Sequence, residues 1–204
     1  LGETVQRGRG AGRVQSERLD ADAWTDAALA ELGTHGIDRV RVEVLAKRLG
    51  VTKGSFYWHF KDRDALLVRM LERWRHRATL SLIERLDRQL SSPAERLREL
   101  LRLPLKGQRA VLAADIELAV RLWGRSDERA REALAGVDEV RLGYITQQFV
   151  AGGMPPAEAR ARAVLAYSYQ RIGASLIPDD AAGLVKQCED ILLASLEPGK
   201  PDPA

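Results

Sequence analysis

Gly50-Val-Thr-Lys-Gly-Ser-Phe-Tyr-Trp-His-Phe-Lys-Asp-Arg63 gathers basic, hydroxyl and aromatic side chains on what reads as one short helix. The stretch before it, Val42 to Leu49, reads as another, with Val42, Leu45, Ala46 and Leu49 on one face. Gly50 suits the left-handed position after a helix end, and small Ala46 lets the next helix approach closely. Two short helices joined by a tight glycine-containing turn are the smallest device that places a helix in the DNA major groove.

At about 100° per residue, Phe56 and Phe60 define the buried face of the second helix. Trp58 points the opposite way, flanked by Gly54 and Ser55, with Tyr57 and His59 on the shoulders and Lys53 in the first turn. Thr52 is placed to cap this helix, near backbone N–H groups that also welcome phosphate. An outward Trp is explained by a groove or partner that buries it. The alternative is packing on another element of the same fold.

Charge is concentrated in this region. Arg39, Arg41, Lys47, Arg48, Lys53, Lys61 and Arg63 stand against only Glu43 and Asp62, a local excess of five. The whole chain carries +3, so the remainder sums to −2, as expected if one end meets a polyanion. A solvated charged face is the blander reading of the same cluster.

Working outward, residues 1–18 are rich in Gly and Arg with little apolar pattern, and are expected to form a flexible basic arm. Trp24, Ala27, Ala28 and Leu32 recur at helical spacing, Asp20 and Asp22 are candidate caps, and Gly36 is a stop. Helical patterns follow from Asp62 to about Leu90, Ala94 to Leu105, Ala110 to Trp123, Asp127 to Val150, Pro155 to about Ile177, and beyond Pro178-Asp179-Asp180 to about Leu196. Residues 198–204 form a loose tail. No useful strand alternation or internal repeat appears, so the expectation is all-α with about nine helices.

Leu49 through Leu67, with Ala27-Ala28, Gly36 and Leu45-Ala46 upstream, resembles the helix-turn-helix signature of the TetR family of bacterial transcriptional regulators. The Gly-x-x-Lys-Gly-x-x-Tyr-x-His-Phe string directly before Lys-Asp-x-Asp-x-Leu carries the likeness, which spans about Trp24 to Leu67. The resemblance implies a three-helix DNA-binding domain over 19–66 and a helical ligand-binding and dimerisation domain over 67–197. It also implies that Lys53, Gly54 and Ser55 face base edges with Trp58 nearby. Thr52, Tyr57, His59 and Lys61 match phosphate contacts, and Arg63 matches a basic contact opening the fourth helix. Arg41 departs from the pattern. It stands where the family often has a Ser or Thr cap, so the cap is expected to be lost, although an Arg there could reach a phosphate.

For the effector, the resemblance directs attention to polar groups on apolar faces. Tyr144 marks the inner face of its helix, with Arg141 and Gln148 close to it. Glu117 and Arg121, four apart, can pair, and Met70, Trp74 and Trp123 could supply apolar walls. An Arg141 held by Glu117 or Asp138 as structural glue fits the same residues. For the dimer, Val164, Ile172 and Leu176 form one stripe, and Leu184, Cys188 and Ile191 another. Two such helices per chain could build a four-helix seam, and a purely internal core would produce the same pattern.

Enzyme readings fare poorly. His35, His59 and His76 show no ligand spacing, and no nucleophile elbow, phosphate loop or dinucleotide fingerprint occurs. Cys188 is the only cysteine, which excludes an internal disulfide and a multi-cysteine zinc site. No catalytic residue, metal or cofactor is expected. No run of about 18 apolar residues and no charged-then-apolar leader is visible, so a cytoplasmic protein without a membrane partner is expected. The expected partners are a palindromic double-stranded operator, a small-molecule effector and a second copy of the chain. Rivals are a ligand-independent or activating regulator, and a helical adaptor using Trp58 and the basic face against an acidic protein.

Overall fold

The computed structural model describes residues 20–105, 107–177, 182–194 and 196. The expected arm, the tail and the Pro178-Asp179-Asp180 break lie outside these residues. Among the described residues every regular element is helical, and none is long and apolar enough to cross a membrane. The all-α expectation of about nine helices holds, with one expected helix divided in two.

Each helix of the N-terminal part starts or stops for a legible reason. α1 (Ala21–His35) begins where the Asp20 carboxylate accepts from the Ala23 N–H at 2.8 Å, and it ends at Gly36, whose φ of 82° favours glycine. A 3-10 turn (Ile37–Arg39) leads to α2 (Val42–Leu49). Gly50 closes α2 in the left-handed conformation at φ 69°. α3 (Lys53–Phe56) is a single turn of helix, and α4 (Arg63–Ala78) starts where Asp62 accepts from the Ala65 N–H at 2.8 Å.

The helix expected from Asp62 to Leu90 is broken at Thr79, and α5 (Leu80–Gln89) continues beyond it. Thr79 adopts φ −126° and ψ −83°, and its hydroxyl donates to the Arg75 carbonyl at 2.7 Å. The Ala78 carbonyl accepts instead from Arg141 Nε at 2.9 Å. The Arg75 carbonyl also keeps its bond from the Thr79 N–H at 3.0 Å, so the break comes from the non-helical Thr79 backbone, with Arg141 satisfying the Ala78 carbonyl that the helix would otherwise have used.

α6 (Pro93–Arg102) opens with a Ser92–Glu95 capping box and Pro93 in its first turn. It gives way to a 3-10 turn over Leu103–Leu105 where one continuous helix was expected. α7 (Gln108–Trp123), α8 (Glu128–Ala151), α9 (Pro156–Leu176) and α10 (Ala182–Leu192) complete the chain. α10 stops short of the expected Leu196.

Two cores result. One joins Trp24, Leu45, Phe56, Phe60 and Leu66 to Met70 and Trp74 of α4, and to Val120, Trp123 and Val137 beyond it. The other gathers Leu86, Leu97, Tyr144, Phe149, Tyr167 and Leu193. α4 therefore packs with the N-terminal helices as well as with the helices behind it. Ion pairs reinforce both regions. Arg73 clamps Asp26 at 2.6 and 2.9 Å between α4 and α1, and Arg102 clamps Glu189 at 2.6 and 2.7 Å between α6 and α10.

A buried ionic cluster ties α7, α8 and α9. Glu117, 4% exposed, accepts from Arg121 at 3.0 Å, from Arg141 at 2.7 Å and from Arg171. Asp138 accepts from Arg121 at 2.8 Å and from the Tyr167 hydroxyl at 2.6 Å. Burial pushes the Glu117 carboxyl up, but Arg141 and Arg171 outweigh it and hold the group down to about 2, from an ordinary 4.5.

The depressed pKa makes this stabilisation complete above about pH 4.5 and lost as pH falls toward 2. A shift of this size corresponds to roughly 3 kcal/mol. Glu117→Gln is expected to lower the urea midpoint strongly at pH 7, and the gap to wild type should close between pH 4.5 and 2. A gap constant across that range would remove the ionic account. Packing offers a second check. A Cβ on Gly33 of α1 would stand 2.9 Å from Ile116 Cγ1 and 3.2 Å from the Ile116 nitrogen of α7. Gly33→Ala is expected to cost about 1–3 kcal/mol. Gly143→Ala, with nothing within 4 Å of the new atom, should add roughly 0.5–1 kcal/mol in the same urea titration.

Candidate nucleic-acid interface and effector region

The second helix of the motif is anchored from behind. Phe56 is fully buried, edge-on to Trp24 at 5.3 Å and stacked on Phe60 at 5.3 Å. Trp58 is 87% exposed and Tyr57 62%, so the wheel argument places these rings as expected. The expected single helix over 50–63 is shorter than anticipated. After Phe56 the chain turns through Tyr57, Trp58 and His59, because Phe60 must return to the core and Asp62 must be extended to cap α4.

Around this turn the sequence-derived residues share one end of the molecule. Thr52, Lys53, Gly54, Tyr57, Trp58, His59 and Lys61 are exposed, and Ser55 is half-buried. Thr52 stands at the cap position of α3 but makes no capping hydrogen bond, which differs from the expected cap. A Cβ on Gly54 would meet only Thr52 Oγ1, at 3.6 Å, so the backbone there is open to close approach.

Three of the cations are not free. Lys53 Nζ donates to Glu43 Oε1 at 2.6 Å. Arg41 occupies the cap position of α2 without capping it, as expected, and its Nε donates to the Asp38 carbonyl at 2.8 Å. Arg63 donates to the Val40 carbonyl at 2.7 Å and the Ile37 carbonyl at 3.0 Å. It braces the loop between α1 and α2, which leaves less of its guanidinium for phosphate than the resemblance implied.

The eight effector candidates fall into three places rather than one. Met70 and Trp74 are buried in the first core, and Trp123 sits beside them at a 260 Å³ cavity shared with Leu32 and Leu118. Glu117, Arg121 and Arg141 belong to the ionic cluster. Tyr144 and Gln148 line a groove of about 830 Å³ with Ile83, Asp87, Arg96 and Gly143. Tyr144 donates to Asp87 Oδ1 at 2.6 Å, and Arg96 donates to Gln148 Oε1 at 3.3 Å. Sequence reasoning named Asp138 only as a partner for Arg141, and it missed Asp87, Arg96, Arg171 and Tyr167. All come from other helices, and periodicity within one helix carries no signal of which distant partner faces it.

The seam candidates are exposed in the single chain. Val164, Ile172, Leu176, Leu184 and Ile191 show 49, 56, 70, 43 and 71% exposure, and Leu165 beside them 62%. Cys188 is half-buried. An internal core would have covered these side chains, so that alternative does not apply to this face.

Residues 25–70 match the family model described as bacterial regulatory proteins, tetR family. The chain is similar to tetracycline repressor protein class D of Escherichia coli, 30% identical over 131 residues, covering 64% of this chain and 55% of that protein. It thus spans about half the length of this curated relative. Among solved structures, a putative TetR-family transcriptional regulator from Rhodococcus sp. superposes with a TM-score of 0.62 at 24% identity, over 88% of this chain and 100% of that one. A putative transcriptional regulator from Saccharomonospora viridis in complex with choline superposes with a TM-score of 0.68 at 17% identity, over 84% and 92%. These likenesses speak to the fold. The sequence match over residues 25–70 is thus to the tetR family of bacterial regulatory proteins, and the helical body behind it shares the fold of these neighbours.

Proposed function

We propose that this chain is a cytoplasmic, sequence-specific DNA-binding transcriptional regulator, a repressor released from a palindromic operator by a small-molecule effector. The observation that carries the reading is Trp58, 87% exposed beside Lys53, Tyr57, His59 and Lys61 while Phe56 and Phe60 hold its turn from behind. An indole held out in water on a basic face is supported best by a surface that covers it. The head comprises residues 19–66 and the effector and dimerisation domain residues 67–197, with α4 joining them. The curated relatives that the chain matches are regulators, which supports a binding function over an enzymatic one.

Dimerisation through the exposed faces of α9 and α10 would hold two heads over successive turns of one duplex, about 34–36 Å apart or somewhat more. An effector in the groove between α5, α6 and α8 acts only by binding one head spacing more tightly than the other. Arg141 offers the mechanical link, because it joins α8 to the Ala78 carbonyl at the end of α4. The choline-bound structural neighbour supports a small-molecule effector on this fold.

Selection of genomic fragments by the purified chain, followed by footprinting, is expected to return an inverted repeat. A chain that selects no duplex sequence but captures acidic protein would support the adaptor reading instead. Lys53→Ala should erode the preference for operator over random DNA by about 1–3 kcal/mol. His59→Ala should weaken both alike, and Lys61→Ala should in addition flatten the salt dependence. Equal losses on the two DNAs for Lys53→Ala would reject its base-reading role. Leu165→Glu with Ile172→Glu is expected to convert a dimer to a monomer in sedimentation and to abolish tight operator binding.

A further inference from the structure

Lys53 opens α3, Glu43 lies in the first turn of α2, and the two meet at 2.6 Å with both side chains 58% exposed. An ion pair this exposed contributes little to the stability of a fold. Its place on the face opposed to DNA makes the carboxylate costly there, because it repels phosphate and weakens binding to every sequence. Of the two acidic residues between Arg39 and Arg63, Asp62 is committed to capping α4. Glu43 has no such duty toward another helix, and its hydrogen bond from Lys53 holds its carboxyl below the usual range, so the carboxylate is the form present.

We infer that Glu43 is a specificity-determining residue, and that Lys53 and Glu43 act as one donor–acceptor unit matched to the major-groove edge of a G·C base pair. This rests on the reading above that the head binds duplex DNA. Guanine presents N7 and O6 side by side as acceptors, and cytosine N4 follows as a donor. An ammonium spanning the two acceptors, with a carboxylate beside it on the N4 donor, satisfies all three groups. In an A·T pair the adenine N6 donor stands between two acceptors, and the thymine methyl crowds the edge. There a lysine and a carboxylate held side by side satisfy one acceptor and one donor only. Glu43 thus accepts a general loss of affinity in return for rejecting the wrong pair.

The test uses the full chain and its Glu43→Gln variant, with dissociation constants from fluorescence anisotropy. The DNAs are the operator selected by wild type from a random-sequence duplex pool, versions with each half-site G·C pair changed to A·T, and a random duplex. For wild type, one such change should weaken binding by about 10-fold or more, and for Glu43→Gln the same change by less than about 3-fold. The variant should also bind the random duplex about 3- to 10-fold more tightly, since one opposing charge is gone. Far-UV circular dichroism should be unchanged, because the pair is exposed. If Glu43→Gln tightens every duplex by one common factor, Glu43 is only a repelling charge and the inference is overturned while DNA reading stands. If wild type enriches no sequence from the pool, DNA reading itself fails and the inference falls with it.

Discussion

Arg141 donates to the Glu117 carboxylate and to the Ala78 carbonyl, and through those bonds α7, α8 and the end of α4 are held in one arrangement. The guanidinium is largely withdrawn from water, at 12% side-chain exposure, and Glu117 at 6%. Buried charges of this kind are tolerable only when each is neutralised and hydrogen-bonded. Arg121, Arg171, Asp138 and Tyr167 complete that condition. The end of α4 follows from it, because Arg141 takes the Ala78 carbonyl where Thr79 leaves the helical conformation and the chain turns into α5. Since α4 also carries Met70 and Trp74 into the first core, a displacement at the ionic cluster has a packed route to the turn that carries Trp58.

The head divides its charged groups between holding the fold and facing outward. Arg63 and Arg41 brace the segment between α1 and α2 through backbone carbonyls, and Glu31 of α1 joins Arg48 of α2 and lies against His35 one turn on in its own helix. Lys61 and His59 are exposed at the turn after α3. Lys53 stands between the two groups, exposed yet already paired with Glu43. A count of basic residues treats these cations as equivalent. Their hydrogen bonds separate those that set the loop geometry from those that can meet a polyanion.

Much of the architecture was legible because its causes are local. Asp20 and Asp62 cap helices, Ser92 and Glu95 form a box, and Gly36 and Gly50 take backbone conformations that other residues resist. The outward Trp58 and inward Phe56 and Phe60 follow from spacing alone, and the residues of the helix-turn-helix matched a family pattern specific enough to name. Legibility failed at Thr79, where the break depends on Arg141, 62 positions away in sequence from Thr79. It failed again in the effector region, where eight candidates proved to belong to a core, an ionic cluster and a groove.

The sequence by itself determined helix type, most helix ends, the aromatic and basic content of the segment around Trp58, and the presence of two apolar stripes near the C-terminus. These are properties of residues within a few positions of each other, and period and capping chemistry report them directly. Only the tertiary structure decided which cations are spent on carbonyls, that Glu117 is the common acceptor of three arginines, and that the late stripes face outward. Those outcomes are set by which distant helices meet and by the cost of leaving a buried charge or carbonyl unpartnered, and no local pattern encodes that meeting.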